Sequence, residues 1–97
     1  MLSELTHATF AKELGSPFQL ECAATPLTLE LVEATELSRA WRASGRNAFS
    51  LLFRGPRQPV LPQRIYRLVH DRLGRLEIFL VPIGPDSEGM RYEAVFT

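Results

Sequence analysis

The apolar positions change their period once along the chain. In the first fifteen residues His7, Phe10, Ala11 and Leu14 recur at i, i+3, i+4 and i+7, a single helical stripe. Ser3 or Thr6 offers an N-cap hydroxyl. Gly15-Ser16-Pro17 is the stop, because glycine accepts a left-handed backbone and proline cannot extend the ladder. Residues 1–15 are therefore predicted to hold a helix of about three turns, too short to stand without something to pack on. After Pro17 the period is two. Phe18, Leu20 and Cys22 alternate with polar neighbours, as do Leu27, Leu29 and Leu31; Phe49, Leu51 and Phe53 alternate with Ser50 and Leu52. Tyr66, Leu68 and His70 follow, opposed by Ile65, Arg67 and Val69; then come Leu76, Ile78 and Leu80, and finally Tyr92, Ala94 and Phe96. Each run is bounded by glycine, proline or polar turn residues, which makes six strands of five to seven residues. No second helical period lies between them, so the strands are expected to be antiparallel. The fold class is mainly β: one domain over 1–97, with the helix in 1–15 and a small antiparallel barrel or sandwich in 17–97.

The connections sharpen this expectation. Asp71-Arg72-Leu73-Gly74 reads as a short hairpin loop with Gly74 at a positive φ. Gly84 to Gly89 reads as a polar six-residue hairpin loop before the last strand. The segment from Gly55 to Pro62 holds three prolines and is expected to be stiff and extended. Few backbone donors remain in it, so one or both of Arg54 and Gln63, at its two ends, are expected to hydrogen-bond its carbonyls, the alternative being that they face solvent and serve a ligand. Between Leu37 and Ala48 the pattern is mixed: Leu37, Ala40 and Trp41 suit a helical turn, and Ser44-Gly45-Arg46-Asn47 a tight turn.

Composition removes several function classes. At 97 residues, 45% apolar and 23% charged, the chain suits a single globular domain. Eleven acids balance eleven bases, so no net field draws it to nucleic acid or anionic lipid, and neither is expected as a partner. The longest apolar run, Ile78 to Val81, is too short for a membrane span. No basic start followed by an apolar run marks a secretory signal, so a cytoplasmic address is expected.

In the second half, Phe49-Ser50-Leu51-Leu52-Phe53-Arg54-Gly55-Pro56, Leu61-Pro62-Gln63 with Tyr66, Phe79-Leu80-Val81-Pro82 and Tyr92-Glu93-Ala94-Val95-Phe96 stand together. This set resembles a small bacterial family of unknown function, whose members are stand-alone domains of about this length. The resemblance implies a genomic neighbourhood of phage tail-collar proteins, and hence a role beside tail-like fibres. It implies no catalytic residues.

Nor do the residues themselves suggest any. His70 and Asp71 are adjacent on a strand and point to opposite faces, so His70 is read as a surface or capping residue. His7, on the helix stripe, is read as a boundary residue with a satisfied ring nitrogen. Cys22 shares the face of Phe18 and Leu20 and is read as core, its nearest charges in sequence being acidic. One cysteine and two widely spaced histidines make no metal site, and no phosphate-binding glycine loop is present, so no cofactor is expected.

Charge is balanced in sum but not in order: residues 1–38 carry a net −5, residues 39–75 a net +8, and residues 76–97 a net −3. In one reading, acidic and basic segments meet as ion pairs across strands. In the other, Arg39, Arg42, Arg46, Arg54 and Arg57 gather beside Trp41 and hold an anionic or sugar-like ligand. The face that the core does not use is also uneven, since Leu52, Phe79, Val81 and Val95 lie where polar residues belong. The N-terminal helix, through Phe10 and Leu14, is the expected cover for part of it. The remainder, centred on Phe79 with Leu52 or Val95, is the expected contact with a protein partner or a second copy. The resulting expectation is a non-enzymatic structural or assembly domain. A small binding module built on Arg39, Trp41, Arg42, Arg54 and Arg57 is the alternative.

Overall fold

A computed structural model describes residues 6–21, 27–37 and 48–96. In chain order these form helix α1 (His7–Ala11) and strands β1 (Pro17–Leu20), β2 (Leu27–Glu36), β3 (Phe49–Gly55), β4 (Arg64–His70), β5 (Gly74–Asp86) and β6 (Gly89–Phe96). All strand pairs are antiparallel, in the order β1-β2-β3-β6-β5-β4. Gln19 opposite Val69 and Leu20 opposite Leu68 join the two ends of that order. The sheet therefore closes on itself, which decides between the two predicted architectures in favour of the barrel.

The period-two positions supply the interior. On β3, Phe49, Leu51 and Phe53 are buried; on β4 and β5 the same holds for Tyr66, Leu68, Leu76, Ile78 and Leu80. The ring of Phe18 meets Phe53 edge to face at 5.2 Å. β2, β5 and β6 run longer than the alternation suggests, and a bulge accounts for the extension of β2 and β5. Val32 is the extra residue between the Leu31–Phe53 and Glu33–Leu52 pairs, and Ile83 the extra residue between Pro82–Tyr92 and Gly84–Arg91. A bulge shifts which residues face inward, so strict alternation stops there while the backbone pairing goes on.

That shift corrects the expected last hairpin. Gly84 and Pro85 belong to β5, and only Ser87 and Glu88 form the turn. The Asp86 carboxylate accepts from the backbone N–H groups of Glu88 (2.8 Å) and Gly89 (3.0 Å), which ties the turn from within. Gly74 takes the expected positive φ, +80°.

The helix is also shorter than expected. Thr6 and Thr9 form a reciprocal capping box at its start, but the α-helix ends at Ala11, and turns carry the chain to Gly15 (φ +84°). The N–H of Gly15 then donates to the Leu31 carbonyl at 2.8 Å. Phe10 is fully buried, 5.9 Å from the ring of Phe49 and 5.6 Å from that of Phe96. Phe49 and Phe96 themselves stack at 4.7 Å. His7 Nε2 donates to the Ala34 carbonyl at 3.0 Å, the satisfied boundary position expected for it. The helix thus closes one end of the ring through Phe10, and the cover expected from Phe10 and Leu14 over part of the outer face is corrected: Leu14 is itself 49% exposed.

At the other end, the proline-containing connection spans the ring from β3 to β4. One donor and one acceptor of it are met from inside: Leu61 N–H donates to Tyr92 Oη (2.9 Å) and Tyr66 Oη–H donates to the Pro62 carbonyl (2.6 Å). Arg54 is engaged elsewhere and Gln63 is exposed, so the predicted partners of this loop are corrected to two tyrosines. The tyrosines reach it because their rings are rooted in the barrel wall, whereas an arginine on the outer face points away. Cys22 and the segment 38–47 lie outside the described residues, and with them the readings made of both.

Candidate functional site

Three groupings of side chains bear on function. The first is on the outer face. Ile65 on β4 stands directly opposite Phe79 on β5, and the two are 64% and 48% exposed. On β6, Glu93 is opposite Val81. Val95, two residues further along the same face, is 55% exposed. Ile65 and Phe79 are an exposed apolar pair across β4 and β5, with half-buried Val81 further along β5 and exposed Val95 on the same outer face of β6. Leu52 is the exception among the predicted contact residues. It is half-buried between Glu33 and Glu93 in the sheet register, which separates it from the pair. Ile65 was not singled out as part of this face. Its signal was its position one residue before Tyr66, outward by alternation but apolar.

The second grouping holds the two described arginines of the predicted cluster. Arg54 donates through Nε (3.0 Å) and Nη2 (2.6 Å) to Asp86 Oδ2, and Arg57 Nη2 donates to the Asp86 carbonyl (2.8 Å). The Arg54 guanidinium, helped by the turn N–H groups, holds the Asp86 carboxyl down to about 2. Both arginines thus fasten the β5–β6 hairpin to β3 and the loop after it. Arg39, Trp41 and Arg42 lie outside the described residues.

Elsewhere the charge order resolves in the same way. Glu21 pairs with Arg75 (2.9 Å) and Arg67 with Glu77 (3.5 Å). Glu13 pairs with Arg72, whose hydrogen bonds lower the Glu13 pKa while the same contact raises that of Arg72. Acidic segments at the two ends of the chain meet the basic middle across the sheet.

The third grouping surrounds His70, which is buried rather than on the surface. Its Nδ1 accepts from the backbone N–H groups of Arg72 (3.0 Å) and Leu73 (3.1 Å), so the capping part of the reading holds and the surface part is corrected. The cause is the turn after α1, which folds Glu13 and Ser16 over the β4–β5 hairpin. With Nδ1 occupied as an acceptor, the neutral ring carries its proton on Nε2, 2.9 Å from Ser16 Oγ and 3.4 Å from Glu13 Oε1. Ser16 Oγ in turn donates to the Glu13 carbonyl. A base that activates serine needs a free lone pair on the facing nitrogen, and here that position is the donor. The chain of bonds pins the helix turn to the hairpin. His70 also packs against Phe18 at 4.5 Å between ring centroids.

A protein-family model described as a domain of unknown function matches residues 5–96. No curated protein and no solved structure matches the chain.

Proposed function

We propose that this chain, a member of the family Domain of unknown function (DUF6916), is a non-enzymatic assembly domain that works by docking protein on its outer face. The observation that carries the reading is the exposed pair Ile65–Phe79, with exposed Val95 on the same outer face, on a sheet whose interior is already filled. Leaving such side chains in water forgoes roughly 1.5–3 kcal/mol each relative to burial. The element best placed to cover them, α1, is used at the end of the ring instead. The other two groupings are occupied with holding the fold: the arginines by Asp86, and His70 by loop amides and Ser16. The phage-tail-like setting implied by the resemblance, and a cytoplasmic address, belong to the same proposal.

A photocrosslinking residue at Phe79 in the full chain, produced in its native cells, tests it. Thr28 is the control position, because it is exposed on β2, three strands away from β5 in either direction around the ring. Adducts to one defined protein from position 79, absent from position 28, support the reading. Adducts from neither position, or equally from both, overturn it.

A further inference from the structure

The charges around the apolar pair are placed with a symmetry that names a partner. Arg67 is opposite Glu77, two residues along β5 from Phe79 in one direction and on the β4 side. Glu93 is opposite Val81, two residues along β5 in the other direction and on the β6 side. Strands lie about 4.8 Å apart and two residues span about 6.7 Å, so each charge stands about 8 Å from Phe79 on a common diagonal. The two are opposite in sign. Among the described residues the Arg67 side chain pairs with Glu77 alone, at 3.5 Å with both side chains more than half exposed, and Glu93 has no ion pair.

We infer that this face pairs with a second copy of the chain about a two-fold axis that passes over Phe79, perpendicular to the Arg67–Glu93 diagonal. Such an axis lies in the contact plane and exchanges the two ends of the diagonal. Phe79 then meets the Phe79 of the second copy, and Arg67 of each copy faces Glu93 of the other. Ile65 falls between Phe79 and Val81 across the contact, apolar on apolar. The arrangement is isologous: two reciprocal ion pairs fix its angle, with Glu77 of each copy falling at the edge of the contact between the Val95 and Glu93 positions of the other. The same operation applied to a patch with like charges on the diagonal would set Arg against Arg, so the sign pattern is what selects the second copy as occupant. Two convex barrel walls touch over a limited area, below roughly 1,200 Å² in total, and the dimer is accordingly weak and concentration-dependent.

This rests on the docking reading, and charge exchange separates the two. Sedimentation velocity of the purified full chain, from micromolar to millimolar concentration, measures the dimer. Arg67→Glu and Glu93→Arg, each alone, place like charges across both reciprocal contacts and weaken dimerisation about tenfold or more. The double variant R67E/E93R restores it to near the parent value. Arg67→Glu also faces Glu77 within its own chain, so thermal melts accompany each protein. If that variant melts early, Arg67→Gln with Glu93→Gln replaces the pair, and both must weaken the dimer. A parent chain that stays monomeric throughout overturns the inference, as does a double variant no better than the singles. If position 79 still crosslinks a different protein while the chain is monomeric, the docking reading stands and the second copy is excluded. If it crosslinks nothing, both fall.

Discussion

Asp86 does two jobs with one carboxylate: Oδ1 caps the turn amides and Oδ2 takes the Arg54 fork. Replacing it by asparagine keeps an oxygen for the turn and removes the charge, which isolates the ion pair. The folded-state pKa, about 2, lies below the ordinary 3.8, so the charged form is the one the fold favours. Its contribution is fully present above about pH 3.8 and is lost as pH falls toward about 2. Asp86→Asn should therefore lower Tm at neutral pH, and the gap from the parent should close over that acid window. A gap that stays constant down to pH 2 would show that the pair adds nothing. The lowered pKa of Glu13 acts in the same direction at the other end of the barrel. Arg54 was legible in the sequence as a residue of interest, but its partner was not. Thirty-two residues of chain separate the two, and only the β3–β6–β5 order brings them together.

Hairpins show the difference between a turn that needs a backbone conformation and one that needs space. Gly74 has φ +80° and nothing within 4 Å of where a Cβ would stand. Gly74→Ala should cost only the left-handed penalty, about 1–2 kcal/mol. At Gly89 a Cβ would stand 2.2 Å from the Gly55 carbonyl oxygen, a clash with the backbone of the neighbouring strand. Gly89→Ala must move β3 or β6 and should destabilise clearly more than Gly74→Ala in urea titrations. Equal losses would mean that the β3–β6 approach is looser than described. The sequence marked both glycines as turn residues. It did not mark the close approach, because Gly55 and Gly89 are neighbours only through the β3–β6 pairing.

Across the whole molecule the ring is not uniform. The β1–β4 seam rests on the Gln19–Val69 and Leu20–Leu68 pairs and the bond from Glu21 N–H to the Arg67 carbonyl, with the exposed Glu21–Arg75 ion pair reaching past it to β5. β3 and β6, by contrast, pair along their length from Phe49–Phe96 to Gly55–Met90. Local opening follows the shorter ladder, so the amides of Leu20 and Glu21 should exchange with deuterium before those in the middle of β3 and β6. Protection at the seam equal to that of β3 would contradict this.

What the sequence determined by itself is what depends on near neighbours: the change of period at Pro17, six strands in their order, the inward residues, and Gly74 at its turn. Alternation and turn chemistry are local, and they survive any arrangement of the strands that buries one face. It also marked Phe79 and Val95 as apolar residues on the outer side. Tertiary structure decided the rest. The closure of β1 on β4 selected a barrel, and the bulges at Val32 and Ile83 carried pairing past the point where alternation ends. The short helix became an end plug because Phe10 packs against the stacked rings of Phe49 and Phe96, while His70 was drawn inside by loop amides and the turn that carries Glu13 and Ser16. Each of these depends on residues far apart in sequence meeting in one register, and register is set only when the whole ring closes.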